Sequence, residues 1–343
     1  MRSVVIIGAG LAGLVAARRL QDQGWRVQVI DKGRHPGGRM ATRQVGDAVC
    51  DHGAQFLTVR EPAFQALVDG WEQAGLVSRW SLGFPVLTAH GLQSGDGFPR
   101  WKAVGGFRAL GAALAQGIEV RSHASVTHLE EVAGRWRVGW VPGDVVRSRA
   151  EGPQEFVEAD AVVCTLPGPQ AADVLRANSI PVPAAVTRIA YHPCHAALMS
   201  WSSVAADLLL PPGGIRIEDP ALPLGWMASQ RQKGLVPHGE VLVVHASSGW
   251  SAKSAEVDGA MLLAPLREAA RAVVHRVGGR WPGNPEQEVL HRWRYSLPIR
   301  CCPEPALALP TAAPLVLAGD GFGDRPRIEG AALSGLAAAS ILG

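Results

Sequence analysis

The chain has 343 residues, too many for one ordinary hydrophobic core, so we expect two domains. Hydrophobic residues make up 47% and charged residues 18%, which is typical of a soluble globular enzyme. The net charge is only +3 with no block of lysine and arginine, so neither nucleic acid nor an anionic membrane is an expected partner. Five cysteines without a CxxC pair are typical of reduced thiols in a cytoplasmic protein. No signal peptide is expected, and the apolar run 330–343 is too short to span a bilayer.

The first predicted elements form a βαβ unit with a glycine fingerprint. Residues 4–7 are a short apolar run that predicts a buried parallel strand, and a pattern with helical spacing follows. Between them, Gly8, Gly10 and Gly13 form G-x-G-x-x-G. Gly8 permits a tight turn, Gly10 lets the backbone approach a pyrophosphate, and Gly13 lets the helix pack closely on the strand. The helix N-terminus would offer unpaired N–H groups to the phosphates.

Asp31 stands at the end of the second predicted strand, residues 27–30. A carboxylate there accepts hydrogen bonds from an adenosine ribose and repels a 2′-phosphate, so the sequence predicts FAD or NAD rather than NADP. The alternative is a glycine-rich turn that holds no ligand. The predicted cofactor contacts of this unit are Gly8, Gly10, Leu11, Ala12, Gly13, Asp31 and Lys32.

After Asp31 the chain departs from the regular βαβ succession of a dehydrogenase, which favours FAD over NAD. The stretch KGRHPGGRMATR contains a flexible glycine pair followed by Arg39, whose planar guanidinium can reach phosphate. The stretch VCDHGAQFLT contains a second loop of small residues, which lets a flat ring system lie close to the backbone. The predicted contacts here are Gly38, Arg39, Met40, Gly53, Ala54 and Gln55.

The middle of the chain divides into two regions of different pattern. The sequence predicts helices at 61–74 and 107–116 and antiparallel strands at 118–141. It further predicts a polar loop at 144–156 and a buried strand at 161–165. From about residue 171 to 289 the sequence predicts a second sheet, with strands at AALMSW, GIRIED, GWMAS and EVLVVHASS. Residues 257–277 predict a long helix. We therefore expect an α/β fold: a discontinuous Rossmann-like FAD-binding domain (1–60, 101–170 and 290–343) and an α+β substrate domain on a mixed or antiparallel sheet (61–100 and 171–289).

Together these motifs resemble the flavin-dependent amine oxidase superfamily, and within it the renalase group. The matching stretches are PGGRM, DHGAQFLT, RWKAVGGF, LVVHASSGWS, HRWRYS and AGDGFGDRPRIEGAALSG, in order along nearly the whole chain. The resemblance implies that Asp320, after a strand at 315–318, contacts the ribityl and phosphate portion of FAD; a turn or helix cap is the alternative for this residue. It implies a turn at 330–332 that opens the last helix towards the flavin's pyrimidine edge. The further implied contacts are Val126, near the adenine, and Thr165, Gly319, Gly330 and Ala331.

The candidate catalytic residues are less strongly indicated. His245 could orient a substrate carboxamide, or be a satisfied core histidine. Trp293 and Tyr295 could wall the flavin pocket or only pack, and Arg294 could meet an anionic substrate. Arg231 and Lys233 could bind a substrate diphosphate, with solvated surface charge as the alternative reading. No metal site is expected.

Three functions remain open from the sequence. The resemblance favours an oxidase with noncovalent FAD that takes hydride from 2- or 6-dihydro isomers of NAD(P) and passes the electrons to O₂, giving H₂O₂. Monoamine oxidases carry two tyrosines and a lysine near the flavin, whereas this chain has only Tyr191 and Tyr295 and no lysine after Lys253. Amine oxidation or desaturation of another small molecule is therefore the second hypothesis, and a flavin-binding protein without turnover is the third.

Overall fold

The computed structural model describes residues 1–143, 155–204 and 207–343. The strands of these residues are β1 (Ser3–Ile7), β2 (Arg26–Ile30), β3 (Thr42–Val45), β4 (Ala48–Asp51), β5 (Val77–Leu82), β6 (Val86–Thr88), β7 (Gly91–Gln93), β8 (Pro99–Ala103), β9 (Glu119–Arg121), β10 (Ala124–Val132), β11 (Arg135–Pro142), β12 (Glu155–Ala159), β13 (Ala161–Cys164), β14 (Ala190–Trp201), β15 (Gly214–Ile217), β16 (Leu224–Ser229), β17 (Glu240–Ala246), β18 (Gln287–Arg300), β19 (Leu307–Ala308) and β20 (Leu315–Leu317). The helices are α1 (Leu11–Asp22), α2 (Pro62–Gln73), α3 (Phe107–Ala115), α4 (Gly168–Ala177), α5 (Ala184–Thr187), α6 (Gln230–Lys233), α7 (Ser248–Lys253), α8 (Gly259–Arg276) and α9 (Arg327–Leu342).

A six-stranded sheet with the order β19-β20-β13-β1-β2-β9 carries the N-terminal fingerprint. Its neighbouring strands are parallel except for β19 and β20. Val4 and Ile6 of β1 belong to a core shared with α1, α3 and α9, whereas Val5 and Ile7 belong to a core shared with the antiparallel β10-β11-β12 sheet. Burial on both faces explains why β1 is a continuous apolar run rather than an alternating one.

A seven-stranded mixed sheet with the order β18-β14-β17-β16-β15-β6-β7 forms the second body. Leu266 of α8 packs in one core with Met199 of β14 and Val244 of β17. The neighbouring residue Leu198 belongs to a different core, which it shares with Cys50 of the β3-β4 hairpin. Because side chains alternate across a strand, the hairpin covers the face of the sheet opposite α8. The small-residue loop at 53–55 therefore follows directly after a hairpin that packs on the seven-stranded sheet.

The architecture confirms the expected α/β fold, with a Rossmann-like, discontinuous first domain and a mixed sheet in the second. The helices expected at 61–74, 107–116 and 257–277 are observed as α2, α3 and α8, with ends within two residues of expectation. No helix of the described residues is long and apolar enough to cross a membrane. The loop expected at 144–156 lies outside the described residues except for Glu155 and Phe156, which begin β12.

Three details differ from the sequence interpretation. Residues 290–300 were expected in the FAD-binding domain, but they lie in β18, which pairs with β14 in the seven-stranded sheet. Helix α2 was expected in the substrate domain, yet Phe64 and Val68 pack in the core of the six-stranded sheet. The last helix opens at Arg327 after Pro326, not at a turn at 330–332. A side chain on Gly330 would come within 1.3 Å of the carbonyl oxygen of Arg325, which directly precedes the helix cap, so this glycine leaves room for the backbone that enters α9.

Candidate cofactor and substrate site

The glycine fingerprint forms an open cradle at the N-terminus of α1. Gly8 has φ +108°, and a Cβ on Gly13 would lie 2.0 Å from the Gly8 carbonyl oxygen, so both positions require glycine. By contrast, a Cβ on Gly10 would meet nothing within 4 Å. No side chain caps α1 and its first turn holds no acid. The first N–H groups of the helix therefore border open space beside Gly10, which fits the diphosphate of a dinucleotide.

Thr165 supports this cradle from beneath. Its hydroxyl donates to the carbonyl oxygens of Ile7 at 3.0 Å and Gly8 at 3.1 Å, and it is the atom that a Cβ on Gly8 would meet at 2.7 Å. Gly38, at φ +57°, brings the second glycine loop against the first, because its Cβ would lie 3.2 Å from the Gly10 Cα. The two loops thus form one continuous surface.

Asp31 holds the turn at the end of β2. Its Oδ2 accepts the Ala9 N–H at 2.6 Å and its Oδ1 accepts the Gly33 N–H at 2.6 Å. A carboxylate has about four acceptor sites, so lone pairs remain for ribose hydroxyls. Beside it, burial lowers the pKa of Lys32 against the opposing effect of the Asp31 charge, and the positive charge of exposed Arg294 lowers it further.

Arg39, which the sequence predicts as a phosphate contact, is bound in this structure to Asp320 and to the Tyr295 carbonyl oxygen. Its two Nη atoms donate to the Asp320 carboxylate at 2.6 and 2.7 Å, and Nη1 also donates to the Tyr295 carbonyl oxygen at 3.0 Å. The Tyr191 hydroxyl donates to Asp320 Oδ1 at 3.1 Å, and burial together with this carboxylate raises the pKa of the phenol. The bidentate pair has the geometry of a strong charge-assisted contact. It joins the small-residue loops to the end of β20.

The loop of Gly53, Ala54 and Gln55 lies against Arg39 and Trp293. Ala54 N–H donates to the Arg39 carbonyl oxygen at 3.0 Å, and a Cβ on Gly53 would lie 2.0 Å from that oxygen and 3.3 Å from Trp293 Cζ2. The Gln55 amide donates to the Asp51 carbonyl oxygen and is buried. Gln55 therefore holds the loop in shape, and Gly53 is required by the close approach of the Arg39 carbonyl oxygen.

A buried ion pair anchors the base of this loop. Lys233 Nζ donates to Asp51 Oδ2 at 2.7 Å, and both side chains are 0% exposed. Asp51 Oδ1 also accepts the Thr42 hydroxyl and the Phe107 N–H. Burial lowers the pKa of Lys233, against the opposing effect of Asp51. The prediction that Lys233 is a solvated surface charge is therefore wrong. Arg231, for which the same alternative was given, forms an ion pair with exposed Asp207.

Three histidines and a tryptophan form an aromatic wall next to the loop. We call His52, His245, His291 and Trp293 the histidine–tryptophan wall. The His52 ring lies 4.7 Å from His291 and 5.2 Å from Trp293, and the His52 carbonyl oxygen lies 2.9 Å from Trp293 Nε1 and 3.1 Å from His245 Nε2. No cluster that could hold a metal ion occurs among the described residues.

Burial keeps the wall uncharged. It lowers the pKa of His52 to about 3 and of His245 to about 4, and it lowers the pKa of His291 as well, with the positive charge of Arg43 acting in the same direction. His52 is 6% exposed, and its Nδ1 is buried without a partner in the described part of the chain. An unpaired buried nitrogen is costly, which suits a group that meets a ligand.

Four further residues predicted to contact the cofactor are Val126, Met40, Gly319 and Ala331. Val126 is buried in β10 next to a bulge, and Met40 is buried in the core of the six-stranded sheet. Gly319 has φ +138°, and its N–H donates to Ser334 of α9 at 2.8 Å. Ala331 packs on the same core as Met40.

Four residues of the site were not found from sequence: His52, His291, Tyr191 and, as a buried group, Lys233. Each acts through a partner far away along the chain, such as Asp51 for Lys233 and Asp320 for Tyr191. For these four residues, the only local indication in the sequence is that His52 stands within DHGAQ. The prediction for that loop was based on its small residues.

The chain matches two family models. Residues 6–71 match the NAD(P)-binding Rossmann-like domain, and residues 81–342 match the flavin containing amine oxidoreductase model. A solved structure described as a putative protoporphyrinogen oxidase from Exiguobacterium sp. 255-15 has a TM-score of 0.73 at 14% identity, covering 99% of this chain and 98% of that one. A putrescine oxidase bound to putrescine has a TM-score of 0.69 at 14% identity, with 99% and 98% covered. These likenesses show the fold.

Curated relatives match over short stretches only. Lysine-specific histone demethylase 1 homolog 1 of Arabidopsis thaliana is 51% identical over 61 residues, which is 16% of this chain and 7% of the relative. The zeta-carotene-forming phytoene desaturase of Myxococcus xanthus is 43% identical over 60 residues, or 18% and 12%. The putative flavin-containing monoamine oxidase AofH of Mycobacterium tuberculosis is 33% identical over 99 residues, or 29% and 19%. The chain thus spans less than a fifth of the length of each.

Proposed function

The chain belongs to the flavin containing amine oxidoreductase family, whose cofactor is FAD, and from this premise we propose that it oxidises 2- and 6-dihydro isomers of NAD(P) to NAD(P)⁺. In this reaction the dihydropyridine loses a hydride, and O₂ takes up that hydride and a proton to give H₂O₂. The substrate becomes aromatic as it reacts, so no N–H or O–H proton has to be removed first. An active site for such a substrate needs orientation rather than a strong base.

The observation that carries the proposal is the histidine–tryptophan wall beside Gly53. The half-buried Trp293 ring, which stacks on His52 with an angle of 29° between the two planes, offers an aromatic face of the kind on which a nicotinamide ring stacks. The Nδ1 of His52 is buried and unpaired in the described part of the chain, and we propose that the ring turns to offer this atom to a carboxamide. His245 and Trp293 hold the backbone of His52 in place through its carbonyl oxygen.

Bound FAD would supply the hydride acceptor and the route to O₂. The residues that would hold it are the fingerprint cradle for its diphosphate, Asp31 for a ribose, and the Arg39–Asp320 pair beside the Gly53 loop. Asp320 keeps Arg39 in place and Tyr191 covers the pair. The chain's own contribution is thus to bind, to orient and to keep the wall neutral.

Steady-state turnover tests the proposal. Enzyme is mixed in air with 2-, 4- or 6-dihydro-NAD, and NAD⁺ and H₂O₂ are both quantified. We expect equimolar NAD⁺ and H₂O₂ from the 2- and 6-dihydro isomers, and little from the 4-dihydro isomer. A His52→Phe variant keeps the ring but removes Nδ1, and we expect a higher KM with FAD content unchanged. Equal turnover of all three isomers, or of none, would overturn the assignment.

The pH dependence of flavin reduction gives a second prediction. The pKa of His52 is about 3 and that of His245 about 4, so both rings are already neutral at pH 6. Their charge does not change between about pH 6 and pH 8, so we expect the reduction rate to be flat over that range. An amine substrate must lose its own proton, and its rate would rise about tenfold per pH unit. Rapid-mixing measurements across this range distinguish the two.

We also expect FAD to be held without a covalent bond. All five cysteines are free thiols, and burial raises the pKa of Cys164 to about 11 and of Cys194 to about 12, which keeps them unreactive. Acid precipitation of the holoenzyme should release the yellow colour into the supernatant. Colour retained in the washed pellet would contradict this.

Amine oxidation is the second candidate, and two observations favour it. The Tyr191 and Tyr295 rings lie 5.6 Å apart, and Lys233 is buried beside the Gly53 loop with a lowered pKa. However, the Tyr191 hydroxyl is bound to Asp320 and the Lys233 ammonium to Asp51, so neither group is free for an amine. H₂O₂ production with putrescine as substrate tests this candidate.

The domain roles follow the same reasoning. We propose that residues 1–60, 101–170 and the segment after Arg300 bind FAD, and that the seven-stranded sheet carries the substrate surface. The free thiols are also the basis on which we propose a cytoplasmic location.

A further inference from the structure

Helix α6 connects β16 and β17 of the seven-stranded sheet and contacts the base of the Gly53 loop. It is only four residues long, yet its first and last residues, Gln230 and Lys233, are both 0% exposed. Lys233 forms the buried ion pair with Asp51. Gln230 carries no charge, so its burial has to be explained by the hydrogen bonds of its amide.

The Gln230 amide bridges the two ends of the loop. Its Oε1 accepts the backbone N–H of Asp51 at 3.0 Å, and its Nε2 donates to Oε1 of Gln55 at 3.4 Å. The Gln55 Nε2 in turn donates to the carbonyl oxygens of Asp51 and Gly53. Backbone groups thus decide which end of each amide is nitrogen and which is oxygen, so the contact between the two side chains forms in only one sense.

Contacts from other parts of the chain hold α6 itself in place. At its start, the Ser229 hydroxyl accepts the Gln232 N–H at 3.1 Å and donates to the Glu240 carboxylate. Glu240, at the start of β17, also accepts a backbone N–H from the first turn of the helix at 3.1 Å. At its end, Lys102 of β8 donates to the Lys233 carbonyl oxygen. A helix too short to be stable alone is therefore fixed at both ends.

The same helix is linked to the histidine–tryptophan wall. Strand β17, which follows α6 along the chain, carries His245, whose Nε2 lies 3.1 Å from the carbonyl oxygen of His52. His52 directly follows Asp51, the residue that α6 holds. The Gly53 loop and the wall therefore depend on one short connection between two strands. A displacement of α6 would change the distance between a molecule on the loop and a molecule at the wall.

A glutamine at this buried position costs free energy, because its polar groups leave water on folding. A methionine of similar length would fill the same space without that cost. The two hydrogen bonds of Gln230 offset the cost, and they also fix the distance between α6 and the loop, which apolar packing alone does not. This favours a role in the geometry of the site.

We propose that Gln230 is a positioning residue, which sets how the Gly53 loop presents the bound flavin to a substrate at the wall. This inference rests on the proposed function, since it places the flavin at the loop and the substrate at the wall. Gln230 is 0% exposed, so it acts through the loop rather than by touching either molecule. Hydride transfer needs close approach, and a misplacement of about 1 Å can slow a reaction about a hundredfold. Loss of the Gln230 bonds should therefore weaken FAD binding and slow flavin reduction.

The test compares Gln230→Met with Gln232→Met, a matched change in the same helix. Gln232 is half-buried, and its amide donates to the Leu209 carbonyl oxygen at 2.9 Å, outside the Gly53 loop. Both variants lose an amide that hydrogen-bonds to the backbone, and urea denaturation checks that both stay folded. Fluorescence titration of the apoproteins measures the Kd for FAD. We expect this Kd to rise about tenfold in Gln230→Met and to keep the parental value in Gln232→Met.

A second variant, Gln230→Glu, keeps the length of the side chain and makes the result depend on pH. In its protonated form the carboxyl accepts the Asp51 N–H and donates its O–H to Gln55, as the glutamine amide does. In its ionised form it has no donor and shares a buried site with the Asp51 carboxylate. Burial favours the protonated form, so we expect near-parental FAD affinity at about pH 6 and a loss, relative to the parent, that grows towards about pH 8.

Kinetics separate this inference from the proposed function. In anaerobic rapid mixing with saturating FAD and 6-dihydro-NAD, we expect the rate of flavin reduction to fall at least about tenfold in Gln230→Met and to stay unchanged in Gln232→Met. If no dihydro isomer reduces the flavin of the parent, the proposed function fails, while the Kd for FAD still reports on Gln230. If the two methionine variants bind FAD equally well, and Gln230→Glu follows the parent at both pH values, the positioning role is overturned.

Discussion

Replacing Gly10 by valine is expected to abolish FAD retention and to leave the apoprotein folded. Gly10 has φ −73° and ψ 178°, which any residue adopts, and a Cβ there meets no protein atom within 4 Å. A valine side chain would fill the space in which the diphosphate approaches the backbone. We expect at least a hundredfold loss of FAD affinity, equivalent to about 2.7 kcal/mol. Fluorescence titration of apoprotein with FAD measures it.

A matched glycine separates loss of cofactor from loss of fold. At Gly13 a Cβ would lie 2.0 Å from the Gly8 carbonyl oxygen, so Gly13→Ala should lower the melting temperature of the apoprotein. Gly10→Val should leave that temperature unchanged and remove only the stabilisation that FAD adds. A Gly10→Val protein that retains FAD with parental affinity would show that the diphosphate lies elsewhere.

Lys233→Met is expected to destabilise the protein by about 3–5 kcal/mol, because it leaves the buried Asp51 carboxylate without its counter-ion. Urea denaturation of parent and variant measures the change. Asp51 would keep its bonds from Thr42 and Phe107, but these donors carry no full charge. Since Asp51 directly precedes His52 and the Gly53 loop, we expect weaker FAD binding as well.

Two controls bracket this result. Changing Arg271 to alanine removes its exposed ion pair with Glu268, at 2.6 Å. This should lower the free energy of unfolding by less than about 1 kcal/mol. The double variant Lys233→Met, Asp51→Asn removes both charges and should recover a large part of the lost stability. If the double variant is as unstable as Lys233→Met alone, the unpaired charge is not the cause.

Most of the fold could be predicted from local sequence patterns. Gly8, Gly13 and Asp31 lie within one βαβ unit, so the turn, the helix and the acid were all readable from spacing. The strand at 290–300 was misplaced because its apolar and polar residues do not tell which sheet it joins; its pairing with β14 decides that. The start of α9 was misplaced because a glycine favours a turn, whereas Gly330 lies within the helix and makes room for the Arg325 carbonyl oxygen just before it.

The candidate site was less predictable, because its chemistry depends on distant pairs. The sequence predicts Arg39 as a cofactor contact, but it does not show that Asp320, at the other end of the chain, binds the same guanidinium. His52 and His291 come together only through the contact between the β3-β4 region and β18. Their neutral state follows from burial, which no spacing rule reveals.

Anaerobic rapid mixing of the holoenzyme with 6-dihydro-NAD tests the central claim most directly. The visible absorbance of the oxidised flavin is followed in a single turnover, with 4-dihydro-NAD and putrescine mixed in parallel. We predict fast bleaching with 6-dihydro-NAD, at a rate that does not change between about pH 6 and pH 8, and slow or no bleaching with the other two. Fast bleaching with putrescine, or none with any dihydro isomer, would contradict the account.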